Sequence, residues 1–253
     1  METRAAKNSL ERALMLLDIV ARADEGLTNA EISRRMGMAP STSSYILSRL
    51  EREAYVRRDK RTGRYQIGLR LMELAYGALR TIGHRPIVEP ALHRLVEQTR
   101  LTALVAVWVR GRAVVVDKVE SPESIKVDVD IGRPLYAHSS ALGKVLLAYL
   151  SPDEFNEFVN EHGLPRRTAK TITTRARLLQ DLDNVRTRGY ASANEEEFIG
   201  GRAVAAPIVD ASGKVCAAVS GAGPAVHPIW KCPEDAIRCV KEAGREISRR
   251  WRR

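Results

Sequence analysis

Thr28-Asn29-Ala30-Glu31-Ile32-Ser33-Arg34-Arg35-Met36-Gly37-Met38-Ala39-Pro40-Ser41-Thr42-Ser43-Ser44-Tyr45-Ile46-Leu47-Ser48-Arg49-Leu50 contains two helix starts with a glycine stop between them. Thr28 and Glu31 form the S/T-x-x-E pattern, in which each side chain accepts a hydrogen bond from the other residue's backbone N–H. This opens a helix expected to run through Met36. Gly37 permits a tight turn, and Pro40 and Ser41 suit the start of a further helix, expected to reach about Glu53. In that helix Ile46, Leu47 and Leu50 can face inward. Ser41, Thr42, Ser44, Tyr45, Ser48, Arg49 and Arg52 then offer donors outward.

Upstream, Leu10, Leu14, Leu17 and Val20, with Ala13 and Ala21, fall at helical spacing and predict a helix over 9–22. Downstream, Tyr55-Val56 and Arg64-Tyr65-Gln66-Ile67 flank a charged turn with Gly63, the pattern of a β-hairpin. Its tip carries Arg57, Arg58, Lys60, Arg61 and Arg64. Three helices with a tight turn and a basic hairpin make a winged helix-turn-helix. Such a unit sets its third helix in a major groove and lays the hairpin along the backbone. The expected DNA contacts are Ser41, Thr42, Ser44, Tyr45 and Arg49 on the helix, and Arg58, Lys60, Arg61 and Arg64 on the wing.

Charge agrees. The 253 residues carry a net charge of +10. Residues 1–82 supply half of it, and a C-terminal run from Lys241 to Arg253 most of the rest, leaving the middle nearly neutral. Local basic excess is the electrostatic footprint of phosphate binding, and equally of a solvated surface. The longest largely apolar run, Leu101–Val109, is far short of the ~20 residues a membrane helix needs. Cys216, Cys232 and Cys239 form no CxxC pair, and the acidic residues near the N-terminus do not suit an export signal. A cytoplasmic protein is expected.

After Gly68, the stripe Leu69, Leu71, Met72, Leu74, Ala75 and Leu79 predicts a linker helix, interrupted at His84-Arg85-Pro86. A helix from Ile87 to Thr99 follows. Leu101–Val109 and Arg112–Val119 read as an antiparallel hairpin turning at Arg110-Gly111. Further strands are expected near Ile125–Val129, Tyr190–Ser192, Arg202–Val209 and Lys214–Ser220. Helices are expected at Ala141–Leu150, Pro152–Glu161, Ala176–Arg188 and Glu234–Arg249. The sum is an α+β domain with a central antiparallel sheet of about six strands and helices mostly on one face. The expected divisions are 1–68 for the DNA-binding domain, 69–83 for the linker and 84–253 for the second domain.

Enzyme signatures fail. Gly143-Lys144 lacks the leading Gly and the following Ser/Thr of a phosphate loop. No serine sits in a G-x-S-x-G elbow. His227, Cys232 and Cys239 have no zinc-ligand spacing. No catalytic residue, metal or cofactor is expected; the competing reading is a small-molecule-converting enzyme fused to a DNA-binding module.

Ser9-Leu10-Glu11-Arg12-Ala13-Leu14, Leu50-Glu51-Arg52-Glu53-Ala54-Tyr55-Val56, Thr62-Gly63-Arg64-Tyr65, Val116-Asp117-Lys118-Val119-Glu120-Ser121 and His138-Ser139-Ser140-Ala141-Leu142-Gly143-Lys144 resemble the IclR family of bacterial transcriptional regulators. Gly189-Tyr190, Ala205-Ala206-Pro207-Ile208 and Gly223-Pro224 continue the match. The resemblance implies a GAF-like effector-binding domain that couples a small metabolite to operator binding. It also implies a homodimer or homotetramer, with an inverted repeat in double-stranded DNA as the partner. In the reading helix the chain departs from the family. Ser44 and Tyr45 stand where His or Arg is common, and Pro40 where Lys is, so no operator sequence carries over.

The resemblance further implies effector contacts at the helix start, Ser140 and Ala141, and on later strands at Ala193, Ala203, Ser220 and Ala222. The family often has Asp, Cys and Ser where this chain has Ala193, Ala203 and Ala222. Leu104 and Val115 occupy further positions that are often polar, and Val127 and Leu135 complete the expected lining. Backbone N–H groups at a helix start hold one polar end of a ligand, and the apolar remainder suits an aromatic or other apolar body. Asn194, Glu195, Glu196 and Glu197 either restore polarity beside Ala193 or form a solvated loop.

Overall fold

A computed structural model describes residues 8–81 and 85–251. The chain divides into two compact units, Met1–Ile82 and Gly83–Arg253. The break expected at His84 falls partly outside the described residues, as do Arg252 and Arg253 of the basic C-terminal run.

The first unit opens with α1 (Ser9–Ala21), α2 (Asn29–Met36) and α3 (Pro40–Arg52). Thr28 and Glu31 form the reciprocal capping box, and Gly37 closes α2 in the left-handed conformation, φ 60°. Leu16, Val20, Leu27, Ile32, Ile46, Leu47, Val56 and Tyr65 form the core. The apolar face of α1 is rotated from the expected stripe: Leu16 and Val20 are buried, while Leu10 and Leu14 are exposed. Strands β1 (Val56–Arg58) and β2 (Tyr65–Ile67) pair antiparallel as the wing, and Leu27 bridges to Tyr65. Gly68 packs so tightly that a Cβ would lie 2.0 Å from the Ala54 carbonyl oxygen, which fixes where α4 (Arg70–Thr81) leaves.

The second unit is built on one antiparallel sheet in the order β5-β4-β3-β8-β7-β6. Its strands are β3 (Thr102–Val109), β4 (Arg112–Val119), β5 (Pro134–Leu135), β6 (Ala191–Asn194), β7 (Gly201–Val209) and β8 (Val215–Pro224). The β3–β4 turn is a two-residue one with positive φ at Arg110 (47°) and Gly111 (75°), the geometry that matches strand twist.

Side chains alternate between two cores because helices cover both faces of the sheet, not mostly one. On one face, α5 (Arg85–Thr99) and α9 (Pro233–Trp251) pack on Val105, Val204, Ile208 and Val219. On the other lie α6 (Ala141–Ala148), α7 (Pro152–His162) and α8 (Arg175–Arg188), against Leu104, Ala106, Ala205 and Ala218. The strand expected at Ile125–Val129 does not form. Its apolar–charged alternation is real, but the partner β4 offers next is Pro134–Leu135, so Val127 and Val129 pack on the core from irregular chain.

Candidate nucleic-acid interface and ligand cavity

The turn between α2 and α3 is held from inside. Ser33 and Ser43 are buried and share a hydrogen bond of 2.8 Å, and Ser43 also bonds Asn29 and the Pro40 carbonyl. Locked there, α3 turns Ser41, Ser44, Tyr45, Ser48 and Arg49 to solvent, with Thr42 half-buried. Arg49 stacks over the Tyr45 ring, its Cζ 5.2 Å from the centroid, and donates to the Tyr45 hydroxyl at 3.3 Å. These two long side chains form one donor-rich tip.

In the wing, the Asp59 carboxylate accepts from the backbone N–H groups of Arg61 and Thr62, and these bonds hold its pKa below the usual carboxylate value. That turn presents Arg57, Arg58, Lys60 and Arg61 to solvent. Arg64 departs from expectation. Its guanidinium turns back to the Gly26 carbonyl at 2.9 Å and to Glu31 at 3.2 Å, tying the wing to the start of α2. It is half-buried and bound to the fold, unlike the four bases at the tip of the wing.

The second unit holds a cavity of about 70 Å³ beside the start of α6. Nine of the ten expected positions line it: Leu104, Val127, Leu135, Ser140, Ala141, Ala193, Ala203, Ser220 and Ala222. Val115 does not reach the wall: it pairs across from Ala106, two residues along β3 from Leu104, and is buried in the adjoining core. Sequence reasoning did not include Val129, Leu142, Phe198, Gly201 and Arg202. Alternation beyond Val127 carried the signal for Val129; nothing in the sequence shows that the loop after β6 folds over the site.

That loop settles the alternatives left open for residues 194–197. Asn194 is exposed at the end of β6, and Glu195 is half-buried and paired with Lys170. Glu196 and Glu197 turn to the cavity, and burial pushes the carboxyl pKa of each above the usual value. Glu196 meets the ammonium of Lys144 at 2.6 Å; Asp181 meets it at 3.0 Å, and Lys144 is only 1% exposed. Glu197 accepts from Ser139. His138 is a structural residue at this helix start: its ring donates to the Pro165 carbonyl at 3.0 Å, and burial lowers its pKa.

The N-cap Ser140 accepts from the Gly143 N–H at 3.2 Å, which leaves the amides of Ala141 and Leu142 without an intrahelical acceptor. Ser220 is 1% exposed and lines the cavity wall. The site therefore offers donors at one end, apolar walls along its length and carboxylates at the loop. Among the described residues no group of His, Cys, Asp and Glu could hold a metal ion, and no helix is long and apolar enough to cross a membrane.

Comparison with known proteins gives the same two parts. The model of the IclR helix-turn-helix domain matches residues 9–60, and that of the bacterial transcriptional regulator IclR C-terminal region matches residues 77–249. The HTH-type transcriptional regulator BhcR of Paracoccus denitrificans is 34% identical over 240 residues, covering 95% of this chain and 86% of BhcR. The structure of the Thermotoga maritima IclR aligns at a TM-score of 0.73 and 31% identity, over 97% of this chain and 99% of that one. An IclR homolog from Microbacterium hydrocarbonoxydans, complexed with 4-hydroxybenzoate, aligns at a TM-score of 0.81 and 24% identity, over 95% and 98%.

Proposed function

Because the chain belongs to the IclR family of bacterial transcriptional regulators, we infer that it is a ligand-responsive regulator of a catabolic operon, acting in the cytoplasm. It is a DNA-binding regulator rather than an enzyme, as its relatives are. Two protomers, as a homodimer or within a homotetramer, set α3 into successive major grooves of an inverted repeat, because a two-fold assembly reads a two-fold site. Ser41, Thr42, Ser44, Tyr45 and Arg49 read bases, and Arg58, Lys60 and Arg61 meet phosphates.

The effector is an aromatic or other apolar-bodied compound with one polar head. The observation that carries this reading is the cavity wall, where Ala193, Ala203, Ala222, Leu104, Val127 and Leu135 surround the donors of Ser140, Ala141 and Ser220. A polar head satisfies those donors, and the body removes apolar surface from water at about 25 cal/mol per Å². The complex of the Microbacterium homolog with 4-hydroxybenzoate supports the class. A cavity of about 70 Å³ is smaller than the ~150 Å³ that admits benzene, so ring binding displaces a wall. A ligand that binds only the displaced form shifts the population toward it, and DNA affinity changes with that shift.

Calorimetry of the full chain against aromatic and short aliphatic acids tests the class. Saturable binding of ring compounds, with glyoxylate and pyruvate weak, is expected. Tight glyoxylate binding with no response to any ring compound would overturn it.

A further inference from the structure

The loop after β6 places an acceptor where an anionic site would need a donor. Glu196 is mostly buried, lines the cavity and shares its one close cation: the Lys144 ammonium lies 2.6 Å from Glu196 and 3.0 Å from Asp181, and also reaches the Ser192 carbonyl at 3.3 Å. One positive charge thus serves two carboxylates. Arg202 borders the cavity, but its guanidinium lies over the Trp230 ring at 4.9 Å, and Trp230 belongs to the core on the other face of the sheet. The cations that act on Glu197 are Arg133 and Arg167, the latter stacked on Tyr136 at 4.4 Å. The loop end of the cavity therefore has carboxylate lone pairs to spare and, among the described residues, no free cation on its lining side chains. The donors lie elsewhere on the wall, at Ser220 and at the start of α6.

We propose that Glu196 sets the effector's second polar group: the ligand carries a hydroxyl or amino donor on its apolar body, which reaches the Glu196 carboxylate, and dicarboxylates are rejected. This rests on the apolar-bodied effector proposed above and narrows it. A carboxylate has about four acceptor sites, and the Lys144 ammonium and the Asn194 backbone occupy part of them. A ring donor finds a charged acceptor in a low-dielectric wall, where such bonds are strongest. A second carboxylate would meet like charge there with the neighbouring ammonium already shared.

Calorimetry with the full chain compares benzoate, the three hydroxybenzoate isomers and the benzenedicarboxylates. At least one hydroxybenzoate is expected to bind about tenfold tighter than benzoate, and the dicarboxylates about tenfold weaker. In Glu196→Gln both ratios are expected to fall toward one. Because each is a ratio within one protein, a general loss of stability in the variant does not mimic the effect; if the variant does not fold, the wild-type ratios alone decide. Equal binding of benzoate and all hydroxybenzoates, or wild-type ratios in Glu196→Gln, would overturn the inference and leave the aromatic reading standing. Binding of glyoxylate with no ring compound would overturn both.

Discussion

Arg64 belongs to the wing by position, yet its guanidinium is taken up by Gly26 and Glu31. Arg64→Ala is expected to lower the melting temperature of the first unit while leaving the salt dependence of DNA binding unchanged. The reverse pattern would return Arg64 to the phosphate contacts. Glu31 adds a pH dependence. The Thr28 N–H and hydroxyl, with Arg64, lower its pKa, so its contribution is present above the ordinary carboxylate value and is lost as pH falls through the lowered one. Thr28→Ala is expected to cost about 1 kcal/mol and to flatten that acid limb in thermal melts at stepped pH. A wild-type acid limb in the variant would contradict this. The capping box was legible because its two residues are three apart. Arg64 was not, because its partner lies 33 positions away. Gly143 marks a similar limit: a Cβ there would lie 2.3 Å from Ala137 Cα, so the start of α6 depends on a close approach that no local pattern announces.

At the scale of elements, helices with caps and strands with close partners were readable, and what failed was the stretch whose partner choice is tertiary. Residues 125–129 alternate like a strand but are held instead by ion pairs: Lys118 with Glu120 and Asp128, and Lys126 with Glu120. Those two lysines hold the Glu120 pKa at about 2. The stabilisation is therefore complete above the ordinary carboxylate pKa and is lost as pH falls toward about 2. The pairs are exposed, so salt should weaken them as well. Protection from hydrogen exchange over residues 120–130, taken relative to the intrinsic rate at each pH, is expected to fall on acidification before that of the sheet does. Uniform exchange across both would contradict this. For the wing, neutralising Arg58, Lys60 and Arg61 together should reduce the magnitude of the log K against log salt slope by roughly 0.9 for each phosphate left unneutralised. On α3, Ser44→Ala or Arg49→Ala should narrow the gap between specific and random DNA by about 1–3 kcal/mol per good base contact. An unchanged slope would remove the wing from the interface, and an unchanged specificity ratio in both α3 variants would remove that face of the helix.

The whole molecule joins a basic reading unit to a second unit whose cavity is walled largely by alanine, valine and leucine. The cavity was largely legible because the family resemblance carries its wall positions over residue by residue, and nine of the ten line it. The loop carrying Glu196 and Phe198 was not, since closure over a site depends on where Lys144, Ser139 and Lys170 lie in three dimensions. On the proposed function, a compound in this cavity changes how tightly the chain holds DNA. Ala203 lies on the wall, so Ala203→Leu fills space a ligand needs and leaves the α3 and wing side chains untouched. The most direct measurement is fluorescence anisotropy on DNA from upstream of the chain's own gene, with and without a saturating ring compound from the calorimetric panel, for wild type and Ala203→Leu. Equal ligand-free affinities and a compound-dependent change in wild type are expected. In Ala203→Leu the response should need about tenfold more compound or be lost, the size expected from overpacking a filled site. A wild-type response in Ala203→Leu would contradict the proposal.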